Sequence, residues 1–300
     1  MLLHKEWGDI LRTGNFLFKY ASMLGLSKMH NVEVRFPKHY FFDYFKHQLP
    51  VDDGIEVDGY IDERVNRYDP EHINSYANDM KTKNMSVRLN CFLQSEKYWM
   101  HCKDYVIEML EFKDELLDKV RNRYEKSLSR KTIGISIRRG DWVGHTFFYQ
   151  IPIEFYIYNL QKYFPSWRDE YNIVLFSDDP EWLRKTFKGD NVYYVGKEHF
   201  LNDNYHNNPF EQVLYGSLCD NFIISNSTFS WWLGYLAVTC KKNDCKVIHS
   251  GKWMTDEGSK EFGSTPDDYY PESWTVSDFF TTIPEDYNFK ALDAYSLLKG

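Results

Sequence analysis

The chain has 300 residues, a net charge of −8 and 43% apolar residues. That length is a soft prior for two domains, because single cores stop growing near ~250–300 residues, and the apolar share excludes disorder of the whole chain. The acidic balance argues against a nucleic-acid binder, and no apolar run approaches the ~18–20 residues that span a bilayer.

Taken in chain order, the start Met1-Leu2-Leu3-His4-Lys5-Glu6-Trp7 lacks the apolar stretch of a secretory signal, so a cytoplasmic location is expected. Apolar residues at helical spacing predict a helix over Phe16–Leu26, and alternation predicts a strand over Val32–Phe36. Acidic residues crowd Asp52–Glu63, and the chain stays polar to about Asn84, which reads as a solvated region with little core. A strand is expected over Val87–Leu93 and helices over Lys97–Tyr124, with Arg121–Lys131 as a polar linker. Beyond it the alternation is regular. Strands are expected at Thr132–Ile137, Asn172–Phe176, Val192–Val195, Phe222–Ser225 and Lys246–His249, with helices at Pro152–Phe164, Pro180–Phe187, Pro209–Cys219 and Thr228–Cys240. This βαβ rhythm means a parallel sheet, whose ligands bind at the carboxyl ends of strands. The organisation that follows is an N-terminal domain over 1–128, a Rossmann-like domain over 129–280 and a tail over 281–300. Five scattered cysteines make neither a disulfide framework nor a zinc pattern.

Three strand ends carry chemistry. Ile137-Arg138-Arg139-Gly140-Asp141 delivers two guanidinium groups, which grip phosphate oxygens in bidentate fashion, the competing reading being a surface arginine pair bridged to Asp141. Ser177-Asp178-Asp179-Pro180 offers acids that either meet a ligand or cap the next helix, and so short an acidic pair is a poor metal site. Ser225-Asn226-Ser227-Thr228-Phe229-Ser230 runs into a helix, and hydroxyls beside first-turn N–H groups make an anion site beyond what capping requires. Two anion-binding strand ends in one sheet, without a GxGxxG motif or a P-loop, point to a nucleoside diphosphate.

These stretches resemble the α-1,2-fucosyltransferases of glycosyltransferase family 11. Ile137–Asp141 resembles the family's arginine motif, and Asn226-Ser227-Thr228-Phe229-Ser230-Trp231-Trp232 resembles its signature. Gly14-Asn15, Phe92-Leu93-Gln94-Ser95-Glu96-Lys97-Tyr98 and Tyr270-Pro271-Glu272-Ser273-Trp274 resemble three further family stretches, in order. The resemblance implies a GT-B-like α/β fold, with two Rossmann-type domains facing a cleft. It also implies inverting transfer of L-fucose from GDP-fucose to the 2-hydroxyl of a galactoside, with no metal cofactor. By the same resemblance Arg138 grips the donor β-phosphate, Asn15 faces the fucose or the bridging oxygen, and Asn226–Ser230 hold phosphate. Glu211, on the helix before the third strand, reads the guanine. Arg139, Ser136 and Asp178 complete the donor set, with Asp141 as a further catalytic candidate.

The chain departs from the family pattern in having Ser136 where a histidine is usual, and Phe16 and Lys19 where glutamines are usual. The general base reads as Asp141 or His145, the alternatives being that Asp141 only orients Arg139 and that His145 is a surface loop residue. The expected partners are GDP-fucose and an oligosaccharide acceptor, with no nucleic acid and no transmembrane segment; peripheral membrane association and oligomeric state stay open. Three alternatives compete: a transferase for another nucleotide sugar, a hydrolase working with Asp178 and Glu211, and a non-catalytic carbohydrate-binding protein.

Overall fold

The computed structural model describes residues 1–4, 12–63, 68–195, 209–241, 245–284 and 286–298. The chain divides into two compact units, Met1–Asp114 with Asp256–Pro271, and Glu115–Thr255 with Glu272–Gly300. The division therefore falls earlier than residue 128, and the first unit reclaims a segment from late in the chain.

The first unit contains β1 (Leu2–His4), α1 (Thr13–His30), β2 (Val34–Pro37), β3 (Val51–Asp52), β4 (Gly59–Asp62), α2 (Pro70–Lys83), β5 (Val87–Asn90) and α3 (Lys103–Met109). Its strands pair parallel in the order β3-β2-β1-β5-β4. Helix α1 is buried on nearly every side from Thr13 to Leu26, which is why its apolar residues crowd beyond a single stripe. Phe16 stacks on Tyr20 and Tyr20 on Phe36, with centroids 4.2 and 4.0 Å apart. The segment expected to be solvated from Asp52 to Asn84 instead supplies both edge strands and α2, and it buries Ile61, Ile73 and Met80. Edge strands need few inward residues, so short ones hide inside an acidic run.

The second unit starts within α4 (Asp114–Arg123). It continues through β6 (Lys131–Ile137), α5 (Ile153–Tyr163), α6 (Trp167–Glu170), β7 (Tyr171–Ser177), α7 (Pro180–Thr186), β8 (Val192–Tyr194), α8 (Pro209–Ser217), β9 (Asn221–Ile224), α9 (Thr228–Lys241) and β10 (Val247–His249). Helix α10 (Asp256–Phe262) belongs to the first unit, and β11 (Thr275–Val276) and α11 (Phe279–Thr282) return to the second. The second sheet is parallel, in the order β11-β10-β9-β6-β7-β8. β9 is buried throughout, β6 in all but its first residue and β7 in all but its two end residues, so these strands read as continuous apolar runs.

The expected linker is packed structure. Tyr124 stacks on Tyr215 at 4.0 Å, the Ser127 hydroxyl bonds the Tyr215 hydroxyl, and Asn172 Nδ2 donates to the Ser127 carbonyl at 2.9 Å. The expected tail is packed too. Ala294 and Leu297 are buried in the second core, and Lys188 N–H donates to the Leu297 carbonyl at 2.7 Å. Among the described residues no helix is long and apolar enough to cross a membrane.

Candidate active site

In the second sheet the chain runs β6, β7, β8 to one side and then returns to place β9 on the other side of β6. The strand order thus reverses between β6 and β9, and the crevice outside the carboxyl ends of those two strands is where such sheets bind ligands. Two of the three expected strand ends flank that point, and the third, at β7, is next to it.

Register sets the arginines. Ile137 pairs with Ser177, so Arg138 and Asp178 leave the sheet side by side. Arg138 Nη1 lies 2.9 Å from Asp178 Oδ2, and Nη2 donates to Asp141 Oδ1. A guanidinium carries more N–H donors than those two bonds use, so the carboxylates orient Arg138 without exhausting it. Asp141 therefore serves Arg138, not Arg139.

Arg139 turns away. Its guanidinium lies 4.0 Å over the Trp182 ring and 3.5 Å from Asp179, while its backbone N–H donates to Asp178 Oδ1 at 2.9 Å. Asp179 is the N-cap of α7, accepting from Trp182 N–H at 3.1 Å. The capping alternative thus holds for Asp179, and Asp178 is the arginine partner.

Between them, Gly140 has φ +22°, and a β-carbon there would sit 2.1 Å from Asp178 Oδ2. Gly140→Ala is expected to push Asp178 out of its bond with Arg138. Nucleoside diphosphate affinity should fall about tenfold, with ~1–2 kcal/mol of stability lost. Calorimetric titration alongside thermal melting tests this, and unchanged affinity would show that Asp178 does not set Arg138.

At the end of β9 the hydroxyls of Ser136, Ser225 and Ser227 converge on Ser230 Oγ at 2.7, 2.8 and 2.8 Å. Ser227 Oγ also accepts Ser230 N–H at 3.1 Å, the bond of an N-cap, which aims the first turn of α9 at the switch point. Thr228 and Phe229 are half-buried there. Ser136 is only 3% exposed, and its hydroxyl is spent on Ser230, so it buttresses the α9 end.

Asn226 is 1% exposed. Its Nδ2 donates to the Tyr149 carbonyl at 3.0 Å and to the Trp253 carbonyl at 2.5 Å. The loops after β6 and β10 are bridged by Phe148 and Met254, and Asn226 fastens both to the end of β9. Trp142 stacks flat on Phe148 at 4.2 Å within the β6 loop, and Arg138 lies 5.8 Å from the Trp142 ring. No residue-level pattern announces a bond to two carbonyls, and the sequence shows Asn226 only as part of a motif.

Glu211 lies in the first turn of α8 and is 3% exposed, 3.4 Å from the Tyr124 hydroxyl and 3.7 Å from Arg123. With Glu211 engaged there and Asp178 by Arg138, the structure gives no support to a hydrolytic carboxyl pair. His145 is exposed, its Nδ1 accepting from Phe147 N–H at 3.1 Å.

His249, at the carboxyl end of β10, is a group the sequence reading missed. Burial lowers its pKa to about 3, and Nδ1 accepts Gly251 N–H at 3.2 Å. It stays neutral and is a poor base. Among the described residues no group of three or more His, Cys, Asp or Glu could hold a metal ion.

Asn15 belongs to the first unit, in the first turn of α1, where the first sheet has its own reversal between β1 and β5. Its Oδ1 accepts from Gln94 Nε2, just beyond β5, at 3.0 Å.

The family model of glycosyl transferase family 11 matches residues 12–276. Over 160 residues the chain is 28% identical to the O-antigen biosynthesis glycosyltransferase WbnK of Escherichia coli, an alignment covering 51% of this chain and 50% of that protein. Over 196 residues it is 26% identical to a galactoside 2-alpha-L-fucosyltransferase of Caenorhabditis elegans, covering 61% of this chain and 50% of the relative. The chain thus spans about half the length of these curated relatives. Among solved structures, POFUT1 in complex with GDP-fucose superposes with a TM-score of 0.55 at 10% identity, over 83% of this chain and 97% of that one. That likeness shows the fold, which is GT-B-like, with two Rossmann-type units.

Proposed function

The chain belongs to glycosyl transferase family 11, and on that premise we propose that it moves L-fucose from GDP-fucose to the 2-hydroxyl of a galactoside, forming an α-1,2 linkage with inversion. The observation that carries this reading is the pairing of Arg138 with the first turn of α9 on the two strands that flank the switch point.

As the bond from the fucosyl carbon to the β-phosphate oxygen breaks, its electron pair stays on the diphosphate and positive charge develops on the sugar ring. The acceptor oxygen attacks the opposite face and loses its proton to a base or to water. Preorganised donors at the diphosphate stabilise that charge separation more than they stabilise the bound donor. Arg138 and the α9 first turn, Ser227 to Ser230, take this role. Asp178 and Asp141 hold Arg138 in place, Ser136 and Asn226 hold the α9 end and its loops, and Glu211 meets the guanine. Asn15 takes the sugar-side role that the family resemblance gives it.

The test is a melting and transfer panel with GDP-fucose, GDP-mannose, UDP-galactose and GDP alone, run with and without EDTA. GDP and GDP-fucose should raise the melting temperature, since a ligand that binds only the folded state stabilises it. Fucose should reach a galactoside acceptor at a rate EDTA does not change. Stabilisation by UDP-galactose but not by GDP-fucose would sink the donor assignment. Loss of turnover in EDTA, restored by Mg²⁺, would sink the metal-free mechanism.

A further inference from the structure

The stretch Phe92–Tyr98 lies in the first unit, and it contains a backbone oddity. Leu93 is buried with φ +54°, a left-handed conformation that a leucine rarely adopts. Such conformations persist where the surroundings over-determine them, and they cluster at functional sites.

Here the surroundings are explicit. The Glu63 carboxylate, at the end of β4, accepts the N–H groups of Phe92 at 2.9 Å and Leu93 at 3.1 Å. Ser22 Oγ, from α1, and Ser95 N–H both donate to the Leu93 carbonyl at 2.9 Å. Both polar groups of the Leu93 backbone are therefore held, one by a half-buried acid and one by α1. Lys19, buried on α1, offsets part of the burial that raises the Glu63 pKa.

What this corner delivers is the next residue. Gln94 leaves it half-buried, and its Nε2 meets Asn15 Oδ1 at 3.0 Å. A carboxamide has a donating end and an accepting end, and engaging Oδ1 fixes which end of Asn15 faces which way.

We propose that Gln94 is a positioning residue for the transfer, setting the direction of the Asn15 amide, and that the Leu93 corner clamped by Glu63 and Ser22 exists to hold Gln94. The inference rests on Asn15 as the sugar-side contact of the proposed function. A donor's nucleotide end and its sugar end are then served by separate devices, which makes them separable by mutation.

The experiment is a double-mutant cycle on the full chain with Gln94→Leu and Asn15→Ala, accompanied by Gln94→Glu. Gln94→Leu keeps the bulk and removes the amide. It should lower kcat ~10–100-fold, the scale of a misplaced reacting group, with the Kd for GDP and the melting temperature unchanged. In the Asn15→Ala background it should add nothing. Gln94→Glu can only accept, so it should turn the Asn15 amide over and lower kcat at least as much. Wild-type kcat in Gln94→Leu, a loss of GDP affinity, or independent losses in the double variant would each overturn the proposal. NMR of the Asn15 side-chain amide, which needs no donor, reads the positioning directly. A shifted, mobile amide in Gln94→Leu supports it, and an unchanged one overturns it even if the donor proves not to be GDP-fucose.

Discussion

Replacing Arg138 by alanine is expected to lower transfer ~10³-fold and to weaken GDP binding by one to two orders of magnitude, with the fold intact. Removing one preorganised donor from an oxyanion-type site costs ~10²–10³ in kcat, and this substitution does more than remove a donor. Asp178 and Asp141 both lean on Arg138, so alanine leaves two carboxylates facing the anion with no guanidinium between them. Stability should change little, because Arg138 stands just past the carboxyl end of β6 and its partners Asp141 and Asp178 keep access to water. Arg138→Lys separates charge from geometry. A single ammonium can meet one carboxylate, but it cannot hold two acids and a phosphate in the planar arrangement a guanidinium provides. Transfer should therefore recover by no more than about tenfold over alanine. A lysine variant with near-normal kcat would remove Arg138 from the centre of the proposed mechanism.

The second sheet was legible in the sequence because β6, β7 and β9 are buried on both faces, and burial leaves long apolar runs bounded by turn residues. The first sheet was legible only in part. Its central strand β1 is three residues long, and its edge strands β3 and β4 lie in an acidic stretch, so neither length nor alternation marks them. The contrast between Arg138 and Arg139 was invisible for a different reason. Adjacent residues leaving a strand point to opposite sides, and which one meets the crevice depends on the neighbouring strand's register, here Ile137 against Ser177. Ser136 entered the site only through the family resemblance, and its hydroxyl faces Ser230, a partner 94 positions along the chain. Asn226 was readable from its motif and not in its role, since its partners are main-chain carbonyls that any sequence could supply.

Asn226→Asp tests that role, and it should be among the most damaging single-atom changes in the chain. The wild-type amide gives both of its Nδ2 hydrogens to carbonyls, of Tyr149 and Trp253, in a site 1% exposed. Aspartate replaces that nitrogen with an oxygen, so both carbonyls lose their donor and an anion faces them at hydrogen-bond distance. A buried charge without a partner costs ~3–5 kcal/mol, which corresponds to a fall in melting temperature of ~10 °C. Activity in the folded fraction should drop ~10²-fold, because the loops after β6 and β10 lose their tie to the α9 end and an ångström of drift costs about that much. The pH dependence identifies the cause. Burial and the two facing carbonyls favour the protonated acid, which can donate one bond, so the folded-state pKa of the new carboxyl lies above its unfolded value near ~3.9. Between those two values the folded variant binds more protons than the unfolded chain, and its stability relative to wild type falls as pH rises. The deficit should be full at pH 8 and shrink as pH drops through the raised pKa toward 5. Asn226→Ala leaves the same carbonyls unpaired without adding a charge. It should lose less, ~1–3 kcal/mol, with a deficit that does not move with pH. Denaturant melts of the three proteins at pH 5, 6.5 and 8 decide the matter: parallel deficits for alanine and aspartate at every pH would mean that Asn226 is not held against those carbonyls.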